Sequence, residues 1–135
     1  MLVTSIAFQG NCDEAIAFYR EAVGAEVKGI YYFRDAPPNS GMDESLPPNF
    51  VMHSEIMIFG TLITMTDGGE AKIKGEYFSL VLSLDTTEEV ADVFSKLAEG
   101  GQVVAALAQQ FWATLCGDVV DRFGVHWHIS TKDSE

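Results

Sequence analysis

The sequence predicts an α+β fold built from two βαβββ modules. Apolar runs of strand length and amphipathic helical stretches follow one another as strand, helix, strand, strand, strand, and that order occurs twice. The residues echo as well as the pattern. Ala15-Ile16-Ala17-Phe18-Tyr19 returns as Val90-Ala91-Asp92-Val93-Phe94, 75 residues on, and Gly24-Ala25-Glu26-Val27 as Gly100-Gly101-Gln102-Val103, 76 residues on. Phe59-Gly60-Thr61-Leu62 reappears as Phe123-Gly124-Val125-His126 after 64. Self-similarity at a near-fixed shift points to duplicated structural units. A single domain of 1–135 is expected, with one module at about 1–69 and the second at about 76–131.

In the first module, Val3 to Phe8 is a short apolar run suited to a strand. Gly10-Asn11 breaks it, and Asn11 with Glu14 three residues on is close to a capping box. Ala15, Ile16, Phe18, Tyr19, Ala22 and Val23 recur at helical spacing, and Gly24 is a suitable stop. Glu26 to Phe33 returns to β character. Arg34 to Phe50 holds all four prolines and reads as a long loop, of a length usually tied to function or disorder. Met52 to Phe59 and Thr61 to Thr66 form a hairpin turning at Gly60.

The second module opens with a strand at Tyr77 to Leu84. Thr86 or Thr87 can cap a helix carrying Val90, Val93, Phe94 and Leu97, which stops at Gly100-Gly101. Gln102 to Ala106, roughly Phe111 to Cys116, and Val125 to Ser130 supply three more strands. In the last of these, alternation puts His126 and His128 on one face and Val125, Trp127 and Ile129 on the other.

Charge narrows the partners. With 20 acidic against 8 basic residues the chain carries −12, which opposes binding to phosphate backbones or anionic membranes. No apolar run approaches the roughly 20 residues that span a bilayer. The N-terminus lacks the basic region and long apolar stretch of a signal peptide, so a cytoplasmic location is expected. Cys12 and Cys116 make neither a metal pattern nor a disulfide framework.

Several segments together resemble a known family. They are Phe8-Gln9-Gly10-Asn11-Cys12-Asp13-Glu14-Ala15 with Phe18-Tyr19, Asp35-Ala36-Pro37-Pro38, Met52-His53-Ser54-Glu55, Phe111-Trp112, and Asp121-Arg122-Phe123-Gly124-Val125 with Trp127. This set is similar to the PhnB-like branch of the vicinal-oxygen-chelate (glyoxalase/bleomycin-resistance/dioxygenase) superfamily, often labelled 3-demethylubiquinone-9 3-methyltransferase-like. The resemblance implies two βαβββ modules forming a cupped sheet with helices outside, and a homodimer. In metal-dependent members four ligands lie on cup-facing strand positions, and alignment carries these to Thr4, Thr64, Ser79 and His128. Only His128 is a strong ligand, because hydroxyls are poor partners for a divalent metal. A complete glyoxalase-type metal site is therefore not expected, and any divalent metal would rest on His128.

The remaining candidates come from residue chemistry. His126 and His128 stand about 7 Å apart along a strand, and His53 or Glu55 on another strand could join them as metal ligands or acid/base groups. Trp112, with Phe111, Tyr31, Tyr32 and Phe33, offers an aromatic wall to a small-molecule pocket. Arg34 is the basic group beside the long loop and could pair with an anionic group. The methyltransferase label has no Gly-rich strand-to-helix loop to support it. The expected function is small-molecule binding in the cup, the alternative a metal-dependent lyase, isomerase or dioxygenase.

Overall fold

The computed structural model describes residues 1–37, 46–68 and 78–132, and its chain divides into two compact units, Met1–Ile73 and Lys74–Glu135. In the first unit, strand β1 (Thr4–Phe8) leads to helix α1 (Cys12–Val23), then β2 (Glu26–Tyr32), β3 (Val51–Ile58) and β4 (Thr61–Asp67). The sheet order is β1-β4-β3-β2, with β1 parallel to β4 and the other neighbours antiparallel. Helix α1 buries Cys12, Ala15, Ile16, Tyr19, Ala22 and Val23, and the sheet meets it with Ile56, Ile58, Ile63 and Met65. Phe59 and Gly60 both take positive φ, 47° and 79°. Those angles belong to the tight two-residue turn that matches strand twist, so the hairpin closes where the sequence places it.

The second unit repeats the order. It runs β5 (Leu80–Leu84), α2 (Thr87–Ala98), β6 (Gln102–Gln110), β7 (Ala113–Val120) and β8 (His126–Thr131), with sheet order β5-β8-β7-β6. Thr86 caps α2: its Oγ1 accepts from Glu89 N at 3.1 Å and its hydroxyl donates to Glu89 Oε1 at 3.2 Å. Val90, Val93, Phe94 and Leu97 are the buried helix residues, as their spacing requires. The α+β class and the duplicated βαβββ order are both present.

Three local expectations differ from the structure. The side chain of Asn11 does not cap α1; it accepts from Gln9 N, and the buried carboxylate of Asp67, at the end of β4, takes over the helix terminus. Asp67 Oδ1 accepts from Gly10 N at 2.8 Å and Cys12 N at 3.0 Å, while its Oδ2 accepts from Val51 N at 3.0 Å. A charged acceptor satisfying three backbone donors outcompetes a neutral amide at the surface. Strand β6 runs to Gln110, not Ala106, and β7 spans Ala113–Val120, not Phe111 to Cys116, so the hairpin they form is longer than its apolar run suggests. The long loop lies partly outside the described residues, but Phe33 N and Arg34 N donate to Phe50 O and Pro48 O, each at 3.0 Å, so its two ends are held together.

Cys12 makes the unit pH-sensitive. Burial, with Asp67 and Asp13 adding to it, pushes its thiol up to about 12, from an ordinary 9.0. Between those values the unfolded chain releases a proton that the folded chain keeps. Stability therefore falls as pH rises from about 9, by up to ~1.4 kcal/mol per pH unit from this group. In denaturant titrations at pH 8 to 11, Cys12→Ala is expected to flatten that decline. The Tyr32 phenol, raised by partial burial and its hydrogen bond to Asp13, acts in the same direction, so some slope remains.

Candidate functional site

The Asp121–Val125 turn sets the orientation of the histidine strand. Asp121 is 3% exposed, and its Oδ1 accepts from Phe123 N at 2.9 Å and Val125 N at 3.1 Å. Its Oδ2 accepts from Trp127 Nε1 at 2.9 Å, which holds the indole inside the core. With Trp127 and Ile129 inward, His126 and His128 must face the opposite side of the sheet.

On that side, β7 and β8 bring a carboxylate to His128. Asp118 is its cross-strand partner, and the two side chains meet at 2.8 Å, Oδ1 to Nδ1. A carboxylate accepts, so Nδ1 carries the hydrogen, and in the neutral ring Nε2 then presents a lone pair. Nε2 has no hydrogen-bond partner among the described residues. The pair is half-buried, with 26% of the His128 side chain and 42% of Asp118 exposed, so solutes reach it. Val81 flanks His128 on β5, Ala105 flanks Asp118 on β6, and His126 stands one step along β8, opposite Val120.

The first unit carries the same geometry with other residues. Glu55 on β3 is paired with Thr64 on β4, in the place where Asp118 meets His128. His53 lies two residues before Glu55, with Nε2 3.5 Å from Glu55 Oε1, and its ring stacks on its cross-strand partner Tyr31 at 6.5 Å between centroids. Both units therefore put a carboxylate of the third strand beside the fourth-strand position on the face away from the helix.

The structure redistributes the candidates taken from the sequence. Thr64 and His128 sit on the helix-free faces of their sheets. Thr4 does not share a face with Thr64: it pairs with Ile63 on the buried side, and Ser5 is the β1 residue beside Thr64. The alignment slipped by one residue, which in a strand turns a side chain to the other face. Ser79 is exposed and immediately precedes β5, with no strand partner among the described residues. Trp112 is 46% exposed in the β6–β7 turn, edge-on to Phe111 at 4.7 Å between ring centroids. Arg34 lies over the Tyr32 ring, 4.2 Å from its centroid. Asp118 was missed, because the expected strand ended at Cys116; continued to Val120 and folded about the Asp121–Val125 turn, it sets Asp118 opposite His128.

The positions implied for a four-ligand metal site do not fit one. Two hydroxyls and one imidazole remain once Thr4 is turned away, and hydroxyls are weak donors to a divalent cation. Among the described residues no group of three or more His, Cys, Asp or Glu side chains is placed to hold a metal ion. The strand-to-helix junction of the first unit is filled by the chain itself. Asp67 occupies the α1 terminus, and a Cβ at Gly10 would stand 2.7 Å from Phe50 Cζ. Among the described residues no helix is long and apolar enough to cross a membrane.

Comparison with known proteins places the chain in a family. The family described as 3-demethylubiquinone-9 3-methyltransferase matches residues 1–130. The chain is 35% identical to protein YjdN of Escherichia coli, across 93% of this chain and 90% of that one. Its fold superposes on protein PA1353 of Pseudomonas aeruginosa with a TM-score of 0.83 at 27% identity, covering 99% and 100% of the two chains. A PhnB protein of Bacillus cereus, described as a putative 3-demethylubiquinone-9 3-methyltransferase, gives 0.81 at 23%, covering 96% and 98%. A glyoxalase-related enzyme of Fulvimarina pelagi shares the fold at 0.64 and 18%, covering 98% and 88%.

Proposed function

We infer the function from one premise: the chain belongs to the 3-demethylubiquinone-9 3-methyltransferase family, a PhnB-like branch of the glyoxalase/bleomycin-resistance superfamily. We propose that it binds a small molecule on the helix-free sheet face of its second unit, without a four-ligand metal centre. The observation that carries this reading is the His128–Asp118 pair, a half-buried imidazole fixed through Nδ1 with Nε2 directed to no partner among the described residues. In this reading Nε2 accepts a hydrogen bond or a proton from the ligand, and Asp118 holds the tautomer. His126 assists, Trp112 supplies an apolar wall, and Ser79 adds a polar contact. The charge of −12 steers cationic guests toward the protein and keeps polyanions away. The protein acts as a cytoplasmic homodimer that engages neither nucleic acid nor membrane.

A metal-dependent lyase, isomerase or dioxygenase is the second reading, and the His126-x-His128 spacing is what favours it. Elemental analysis of protein purified without chelator or affinity tag separates the two. Far less than one metal per chain is expected, together with thermal-shift hits among small apolar or cationic compounds. His128→Ala and Asp118→Asn should each weaken binding of such a hit about tenfold, or ~1.4 kcal/mol. Near-stoichiometric metal that disappears in His128→Ala would reverse the assignment in favour of metal catalysis.

A further inference from the structure

Strand β6 is exposed over almost its whole length. Of Gln102–Gln110, every residue but Leu107 is exposed, Val103 and Val104 at 47% and 62%. It lies at the edge of its sheet, with β7 on one side and no strand on the other among the described residues. An edge strand presents unpaired backbone donors and acceptors, and proteins usually guard such edges with charge or proline. This one has neither. From Gly100 to Gly117 the sequence contains none of the 20 acidic or 8 basic residues and no proline. Its only guard is irregular pairing with β7, whose register shifts three times along it.

We propose that β6 is the dimer interface, pairing antiparallel with β6 of a second copy of this chain. This deepens the homodimer reading above and rests on it. The occupant follows from charge: two chains of −12 repel each other, and close approach is least opposed where both surfaces are neutral. The strand satisfies that condition on both copies at once. A two-fold axis perpendicular to the strand sets N–H against C=O reciprocally, so an edge strand is self-complementary. The result is one eight-stranded sheet, β5-β8-β7-β6 continued by its copy.

The test combines solution mass with site-directed cross-linking. The wild type is expected at twice the 14.8 kDa of one chain by light scattering. Val104→Lys, at an exposed position, should run as a single folded chain with an unchanged far-UV circular dichroism spectrum and a melting temperature that no longer rises with protein concentration. Single cysteines at Val104, Ala106 and Ala108 should yield, for at least one, a disulfide-linked dimer on oxidation; Cys12 and Cys116 are both buried and do not compete. A monomeric wild type overturns this interface and the homodimer reading together, including the case where β6 receives an extended peptide from another protein. A wild-type dimer that survives Val104→Lys, or that gives no cross-link at any of the three positions, overturns the interface alone.

Discussion

Asp121→Ala is expected to lower the free energy of unfolding by about 3–5 kcal/mol, in the range reserved for breaking a buried polar network. The carboxylate satisfies two backbone amides and the Trp127 indole, and at 3% exposure no bulk water stands ready to replace it. Removing it strands three donors, each worth about 1–3 kcal/mol when left unpaired, and their losses overlap because they share one turn. The site should suffer with the fold. Trp127 lies between His126 and His128, so an indole freed from its anchor releases the strand that aims both imidazoles. Asp121→Asn keeps the shape but loses the charge, and about half the effect is expected. Urea denaturation followed by Trp fluorescence gives the stability change, and imidazole NMR reports the His128–Asp118 contact. By contrast Asp118→Asn, at a half-exposed pair, should cost less than ~1 kcal/mol of stability while still impairing ligand binding. A loss below ~1 kcal/mol for Asp121→Ala would mean that the turn is held by its backbone alone.

The same residues explain what could be read from the sequence and what could not. The duplicated order was legible because periodicity is local: the buried set Val90, Val93, Phe94 and Leu97 is written at helical spacing within one stretch. The Phe59-Gly60 turn was legible for the same reason. Capping of α1 was not, because its acceptor Asp67 lies 55 residues from Cys12 and arrives only when β4 pairs with β1. A local rule therefore selected Asn11. For the candidate site, alternation showed that His126 and His128 share a face, but the partner of His128 depends on cross-strand register. That register in turn depends on β7 continuing past Gly117, a residue without strand propensity. Gly117 is there because α2 packs closely: a Cβ would stand 2.7 Å from Phe94 Cε2 and 2.9 Å from Ala105 O. Close helix packing thus made the end of β7 look like a strand terminus. The Thr4 error is of the same kind, since a register slip of one residue exchanges the faces of a strand.

Gly101→Ala is expected to cost about 3 kcal/mol, at the upper end for overpacking, although nothing in its backbone conformation calls for glycine. The added methyl would run into the carbonyl oxygen of Val120, with the carbonyl carbon and Cα of Asp121 both 2.9 Å away. All three are main-chain atoms at the end of β7, so no rotamer change relieves the contact, and the chain leaving α2 must move off the Asp121 turn. Gly100 next to it is the opposite case. Its φ is +74°, yet the nearest atom to an added Cβ is Arg122 Nε at 3.2 Å, the far part of a flexible side chain. Gly100→Ala should therefore cost only the left-handed conformation, about 1 kcal/mol. Gly60→Ala, with φ +79° and nothing within 4 Å, should behave likewise. A reading based on φ alone ranks Gly100 and Gly60 above Gly101; a reading based on space reverses the order. Denaturation midpoints of the three variants decide between them. Combining Gly101→Ala with Asp121→Ala should cost less than the two separately, because both act on the same turn. Strict additivity would show that the methyl is absorbed elsewhere and that the α2–β6 connection, not the Asp121 turn, yields first.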